Sequence, residues 1–451
     1  MRRLGRIWRG VRGDPLTRGW AVLTGAGVAR LGLGLVASLV IARALGPAAY
    51  GVYAVLAATV GIVGALAEGG LTEAAVLRMA AVWPQAEAQV RAQAFFWLRL
   101  GLAALAIGTG CLLAGPMADL LLEVDAGLLR WALLGIVATA LSGAISAILQ
   151  ASGAFGRMSS LVLVNTGLTA VFAIALALLG QLSLITALVV LGIGTSLVTF
   201  GLGYRLLPSG WHLAPPGLAV LKAEAVQLVR TGRWLWLASS LAMLALNLDV
   251  LVLHRWVPLS VVGTYALALN LASKADLVNQ NLYTVLLPRV GSLQMDSAGG
   301  VAAYSRSGVA RYVRASLLRS GLISLGLLLL LPLAEPAIVL IYGAAFAPAA
   351  GLFRLLLGVV IFDVLTTPLV LLPLAYRRPR QLALAEALRA ATLGGVALGL
   401  VPPYGALGAV AARFAARLAG ALLVLSLLWR GARAPARRSG PPLRAEADRP
   451  A

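Results

Sequence analysis

The sequence predicts an all-α polytopic membrane protein of about twelve transmembrane helices, arranged as two six-helix halves. Three observations predict it. The first is composition: of 451 residues, 60% are hydrophobic and 12% charged, whereas a soluble globular chain carries about 25% charged residues. Mean hydropathy is +0.92. The second is the recurrence of apolar runs of spanning length, given that a hydrocarbon core of about 30 Å takes roughly 20 residues of helix. The third is that Lys and Arg collect in alternate gaps between those runs.

Six runs, with Gly, Pro or charge at their ends, lie near residues 19 to 43, 51 to 75, 92 to 116, 129 to 150, 158 to 180 and 182 to 206. Six more lie near 234 to 254, 261 to 288, 312 to 332, 348 to 375, 380 to 401 and 404 to 430. The domain reading is a basic tail over 1–18, a first half over 19–206, a polar connector over 207–233, a second half over 234–430, and a basic, Pro-rich tail over 431–451. In the connector, Leu218, Leu221, Val226 and Val229 share one side of a short helix, which suits lying along the cytoplasmic surface. The gap around 331–348, within LPLAEPAIVLIYGAAFAPAA, leaves room for a re-entrant or interfacial segment.

Orientation follows from basic residues near the span ends. Both tails are basic, with Arg2, Arg3, Arg6 and Arg9 at one end and Arg433, Arg437 and Arg438 at the other. An even number of spans puts both on the cytoplasmic side. Arg78, Arg91, Arg157, Arg205, Lys222, Arg230, Arg311 and Arg377 fall on that side, whereas the opposite side has Arg43, Arg130, Arg255 and Arg354, with the acids Asp119, Glu123 and Asp125.

The net charge of +21 is thus explained by loops. Nucleic-acid binding needs basic residues gathered on one folded face with aromatics among them, and that pattern is absent. The N-terminus has no small-residue cleavage signal before its first apolar run, so it reads as a retained tail. The single cysteine, Cys111, lies in an apolar run, which excludes a disulfide framework and a Cys-based metal site. His212 and His254 are far apart, and neither a P-loop nor a nucleophile elbow occurs, so no enzyme, cofactor or metal is expected.

The corner RALGPAAYGVYA, residues 43 to 54, has an echo in RWVPLSVVGTYA, residues 255 to 266. Setting Arg43 over Arg255, an offset of 212, aligns Gly51 with Gly263, Tyr53 with Tyr265 and Ala54 with Ala266. Both copies join the first two spans of a half. With six spans per half the copies run in the same sense, about an axis along the membrane normal, and such parallel repeats place a transport path at their interface. Pro47 fixes its own φ and biases Gly46 away from helix, so a turn is expected there. Tyr50 and Tyr53, three apart on one face, and Arg43 are expected to sit as anchors at headgroup level.

On these residues the chain resembles a known family. ARALGPAAYGVYAVLAATVGIVGALAEGGLTEAAVLR, residues 42 to 78, is similar to the opening of the oligosaccharide (O-antigen type) flippases, within the multidrug/oligosaccharidyl-lipid/polysaccharide exporter superfamily. NLDVLVLHRWVPLSVVGTYALALNLA, residues 247 to 272, resembles their span seven with its acidic residue and the Gly-x-Tyr start of span eight. The likeness runs diffusely from about Thr17 to Arg430 and departs at His254-Arg255-Trp256, where members commonly have a Gly-Arg pair. It implies a V-shaped exporter fold in the bacterial inner membrane. It also implies a polyprenyl-pyrophosphate-linked oligosaccharide as substrate, membrane lipid as surroundings, and a polysaccharide polymerase and glycosyltransferases as partners.

Ionisable groups within spans are costly and usually face a cavity or each other. For a flippase that must hold a pyrophosphate in a wet cavity, the candidate cations are Arg30 in span one, Lys274 in span eight, and Arg413 and Arg417 in span twelve. The simpler alternative pairs Arg30 with Glu68 and Lys274 with Asp276. Arg413 and Arg417, one turn apart, either extend a basic path or snorkel to the cytoplasm. Glu386 and Arg389 fit an internal ion pair. Glu68, Asp249, Asp276, Asp363 and Asn270 are candidate coupling or cavity residues, with Asp249 and Asp363 as proton or sodium sites. The amides Asn270, Asn279, Gln280 and Asn281 suit sugar hydroxyls or interhelical contacts equally. Two rival readings are an ion-coupled drug or cation antiporter of the same superfamily, and a non-transporting scaffold for polysaccharide assembly. A peptidoglycan-precursor flippase is disfavoured, since those relatives commonly carry fourteen spans.

Overall fold

A computed structural model of the chain describes residues 15–68, 70–119, 123–277, 279, 306–370 and 379–433; side chains are described from residue 27, and over 313–369 and 384–426 in the second half. Gln280, Asn281, Arg377 and most of the two tails lie outside the described residues. The first helix, α1 (Pro15–Glu68), contains one non-helical residue, Gly46, at φ 72 and ψ 171. Glycine takes this φ without steric cost, and Pro47 after it cannot donate to a continuing helix. Gly34 lies beside Lys274 and Gly61 beside Asn247, while Gly51 touches Leu259. Leu259 is at the tip of the hairpin made by α7 (Leu218–His254) and α8 (Leu259–Ala275), and residues 247 and 274 are well down its two legs. Both arms of α1 therefore run away from the same corner, and α1 holds two crossings.

The second run does not extend to residue 75 as one helix. It breaks at Gly70, with φ 61, before α2 (Leu71–Ala80). A Cβ at Gly70 would lie 2.5 Å from the backbone nitrogen of Trp236, so glycine meets both the turn and the approach of α7. The first half continues through α3 (Ala86–Leu112), α4 (Ala126–Ala151), α5 (Phe155–Leu178) and α6 (Leu184–Arg205). Asp125 caps α4 by accepting from the Leu128 amide at 2.8 Å. Within α6 a wider π-type turn runs over Ala187–Gly194.

The connector differs from the short surface helix expected of it. Leu218–His254 is one 37-residue helix, about 55 Å long at 1.5 Å per residue. No proline interrupts it, and Gly232 is kept tight by Gly70, whose carbonyl oxygen would be 2.9 Å from a Cβ there. Leu218, Val226 and Val229 remain exposed. Thereafter come α9 (Arg306–Leu328), the short α10 (Ala334–Tyr342), α11 (Ala349–Val370), α12 (Pro379–Tyr404) and α13 (Ala406–Arg433). At nine residues α10 is too short to cross a bilayer. It covers the bundle end with Ile338, Tyr342 and, just beyond, Phe346, all buried.

Among the described residues nine helices are long and apolar enough to cross a membrane. The first folds back at Gly46 and counts twice, which gives ten; α8 and α9 stand where the sequence sets spans eight and nine. Leu112, Leu178 and Leu340, each more than 80% exposed, belong to an outward apolar surface that suits lipid contact.

The repeat has a direct structural counterpart. A Cβ at Gly51 would lie 2.1 Å from the Leu259 carbonyl oxygen, and one at Gly263 would lie 1.9 Å from that of Pro47. Pro47 and Leu259 are themselves related by the offset of 212, so the contact is reciprocal. The two copies of the corner are packed backbone to backbone, as small residues permit between membrane helices. Tyr50, expected as a headgroup-level anchor, is 5% exposed and packed within the protein; its ring meets Tyr53 and Phe346 at centroid distances of 6.1 Å. The turn is roofed by α10, which takes the tyrosine into the core. Arg43 does remain exposed and donates to the Ile341 carbonyl at 3.4 Å.

Candidate functional site

The charged residues of the second half are drawn together by α7, α8, α11 and α13. Asp249 is fully buried on α7. Its Oδ2 accepts from Arg413 Nε at 2.8 Å, from Arg413 Nη2 at 2.7 Å and from the Tyr265 hydroxyl. Arg413 Nη2 also donates to the Leu246 carbonyl at 2.8 Å, which helps to satisfy a guanidinium only 6% exposed. One turn along α13, Arg417 Nε meets Asp363 Oδ2 at 3.2 Å. The shared face expected of Arg413 and Arg417 is present, and both cations are spoken for by aspartates. Glu386 and Arg389 make the internal pair expected of them, at 2.9 Å.

The first half holds a different acid-base group. Glu68 accepts from Arg99 Nη1 at 3.0 Å and from the Thr72 hydroxyl. Arg99, not among the candidate site residues of the sequence, is thereby the partner of Glu68; Arg30 is not. The pair lines one end of a cavity of about 390 Å³ between α1, α3, α4 and α6, whose walls are mostly small residues such as Ala57, Gly61, Ala103 and Gly135.

Arg30 and Lys274 stand apart from these pairs. Among the described residues neither makes an ion pair. Asp276, the other partner considered for Lys274, instead accepts from Asn279 Nδ2 at 3.2 Å, and Asn279 Oδ1 accepts from Thr367 at 2.7 Å. The Lys274 ammonium points at α1, 3.7 Å from where a Cβ on Gly34 would be, with the Thr166 methyl 3.9 Å from the same point. Arg30, exposed, lies one turn before Gly34 on the same face of α1. Two cations, one from the first span of one half and one from the second span of the other, thus face the same gap.

Asn270 lies one turn before Lys274 and lines a second cavity, of about 300 Å³, with Asn247, Ser273, Asp363 and Arg417. On the side of the corner the halves are also joined by an ion pair between Glu123 and Arg255, each about half exposed.

Comparison with known proteins fits this architecture. The family model of polysaccharide biosynthesis proteins matches residues 16–294, well over half the chain. No curated protein matches the sequence. Among solved structures, a lipid II flippase, MurJ, in an inward closed conformation aligns over 91% of this chain and 87% of its own at 12% identity, with a TM-score of 0.72. An inward-facing multidrug resistance MATE family transporter of the MOP superfamily aligns over 89% of this chain and 94% of its own at 17% identity, with a TM-score of 0.68. The eukaryotic MATE transporter AtDTX14 aligns over 92% and 96% at 14% identity, with a TM-score of 0.62. At such identities the likeness is one of fold. With the family model matching residues 16–294, the chain belongs to the polysaccharide biosynthesis protein family and is a multi-pass membrane protein with the fold of these transporters.

Proposed function

We propose that this protein is a flippase that moves a polyprenyl-pyrophosphate-linked oligosaccharide across the bacterial inner membrane, for cell-surface or exported polysaccharide. Both termini are cytoplasmic, and the two halves give alternating access to a cavity between them. A polysaccharide polymerase and glycosyltransferases act beside it. The observation that carries this reading is the couple Arg30 and Lys274, without an ion-pair partner among the described residues. Two like charges at membrane depth repel and are costly to desolvate, and a bound dianion removes both penalties. Pyrophosphate is such an anion, with oxygens for the guanidinium fork and for the ammonium. Family membership supports the glycan, and the likeness to a structure named as a lipid II flippase supports the lipid carrier.

An ion-coupled antiporter for cationic drugs would be better served by acids free of partners. Here Glu68, Asp249 and Asp363 each face an arginine, which favours the anionic substrate. The test is flipping of a polyprenyl-pyrophosphate-linked glycan in proteoliposomes by Arg30→Gln and Lys274→Gln at equal protein level. Each variant is expected to lose at least tenfold in rate. Normal flipping by both would refute the assignment.

A further inference from the structure

The long helix α7 carries an acid near its start, Glu224, whose side chain is only 17% exposed. Its carboxylate is taken by Arg78 of α2, whose Nη2 donates to both oxygens at 3.0 Å and whose Nε donates at 3.3 Å. Arg91 of α3 joins them, with its Nε 3.9 Å from the same carboxylate and its Nη1 donating to the Arg78 carbonyl at 2.6 Å. Glu87 pairs with Arg91 as well. Glu224 is thus gripped by two guanidinium groups of the first half, and among the described residues no other acid reaches Arg78.

That grip is the far end of a seam between α7 and the first half. Glu224, Leu228, Gly232 and Trp236 recur every four residues and so share a face of α7. Leu228 is buried in one cluster with Leu71, Ala74 and Met79 of α2. A Cβ on Gly232 would lie 3.2 Å from that of Ala74, and Trp236 Nε1 donates to the Leu66 carbonyl at 3.2 Å. Farther on, Ser240 donates to the Ala65 carbonyl at 3.5 Å, Asn247 lies beside Gly61, and Gly51 touches Leu259. The partners descend in number as α7 ascends, so α7 lies antiparallel against α2 and the second arm of α1. The glycine corner is one end of this seam, and Glu224 is the other, about 45 Å away along α7 at 1.5 Å per residue. At the Glu224 end the seam is narrow, for Lys222, Val226, Val229, Arg230 and Arg233 are all exposed. Gly232 has no side chain to offer there and Leu228 is a single apolar one, which leaves the ion pairs a large part of the hold.

We propose that Glu224 is a latch: its ion pairs with Arg78 and Arg91 keep α7 against the first half in this conformation, and they break when the halves part at the end opposite the glycine corner. With the termini cytoplasmic as proposed, this is the cytoplasmic end of the seam. The inference rests on the alternating-access reading and not on the choice of substrate. Charge suits a contact that is made and broken in every cycle. Parting it returns both partners to water, with little lost, whereas parted apolar surfaces stay costly for as long as they are apart.

The test is a distance measurement by double electron–electron resonance on the full chain in nanodiscs. Spin labels are carried, in a Cys111→Ala background, by cysteines in place of Leu77 and Val226, both exposed. Glu224→Gln and Arg78→Gln are each expected to raise the ratio of longer to shorter distances about threefold or more, a shift within the worth of an ion pair at the protein surface. Glu224→Arg combined with Arg78→Glu is expected to restore the native distribution, which a merely damaged fold would not do. A second label pair, at Leu77 and Leu237, is expected to lengthen together with the first. Unchanged distances in both single variants overturn the latch. So does lengthening at Val226 with Leu237 unmoved, since that is fraying of the helix start. If the distances respond as expected and the native chain does not flip a polyprenyl-pyrophosphate-linked glycan in proteoliposomes, the latch stands and the substrate reading falls.

Discussion

Asp249 and Arg413 show how a single residue can be named in the sequence and still be misjudged. Each is an ionisable group in an apolar run, and helical spacing puts Arg413 beside Arg417. The separation of 164 positions from Asp249 to Arg413 left the pair out of reach of that reasoning. The same holds for Arg99 and Glu68, which sit on different helices. A buried pair is weak evidence of net stability, yet removing one partner strands the other. Arg413→Met is expected to cost about 3–5 kcal/mol, read as a large fall in thermal stability in detergent. Asp249→Leu combined with Arg413→Leu is expected to recover most of it. A double variant as unstable as the single one would show that the pair, and not the stranded acid, carries the loss.

At the scale of elements, hydropathy and the positive-inside bias made the spans readable, because a bilayer enforces a length and a sidedness that a soluble core does not. The corner at Gly46 and Pro47 was equally plain. What escaped was partnership. An offset of 212 aligns Gly51 with Gly263 but says nothing of their contact, since repeats can be related by symmetry without touching. Nor could periodicity show that the connector fuses with span seven, or that α10 buries Tyr50. Gly51→Ala or Gly263→Ala would set a methyl carbon about 2 Å from a backbone oxygen of the other helix. Backbone cannot step aside as a side chain can. Each substitution is expected to lower both thermal stability and flipping, and the double variant is expected to cost less than the sum because both act on one contact. Fully additive losses would mean that the two glycines act separately.

For the whole molecule, the halves are joined near the corner by bonds of unequal strength. The glycine contact is close-packed. The pair of Glu123 and Arg255 is about half exposed, and exposed ion pairs are worth about 0–1 kcal/mol. That pair therefore adds little to the joint and costs little to part when, on the proposed mechanism, one half tilts against the other about the glycine contact. In a Cys111→Ala background, cysteines in place of Glu123 and Arg255 joined by a reducible bis-thiosulfonate linker are expected to stop flipping, with reduction restoring it. Undiminished flipping in the linked protein would show that the halves need not separate there.

The self-matching glycine contact also has a mechanical meaning. A joint with no side chain between its parts has almost no radius, so little has to slide at the joint when one half tilts against the other. A tilt of about 10° there displaces the far face of a hydrocarbon core about 30 Å thick by roughly 5 Å. On the proposed mechanism the corner is the fulcrum of a lever, and the Arg30 and Lys274 couple is its load, carried partway along the arm.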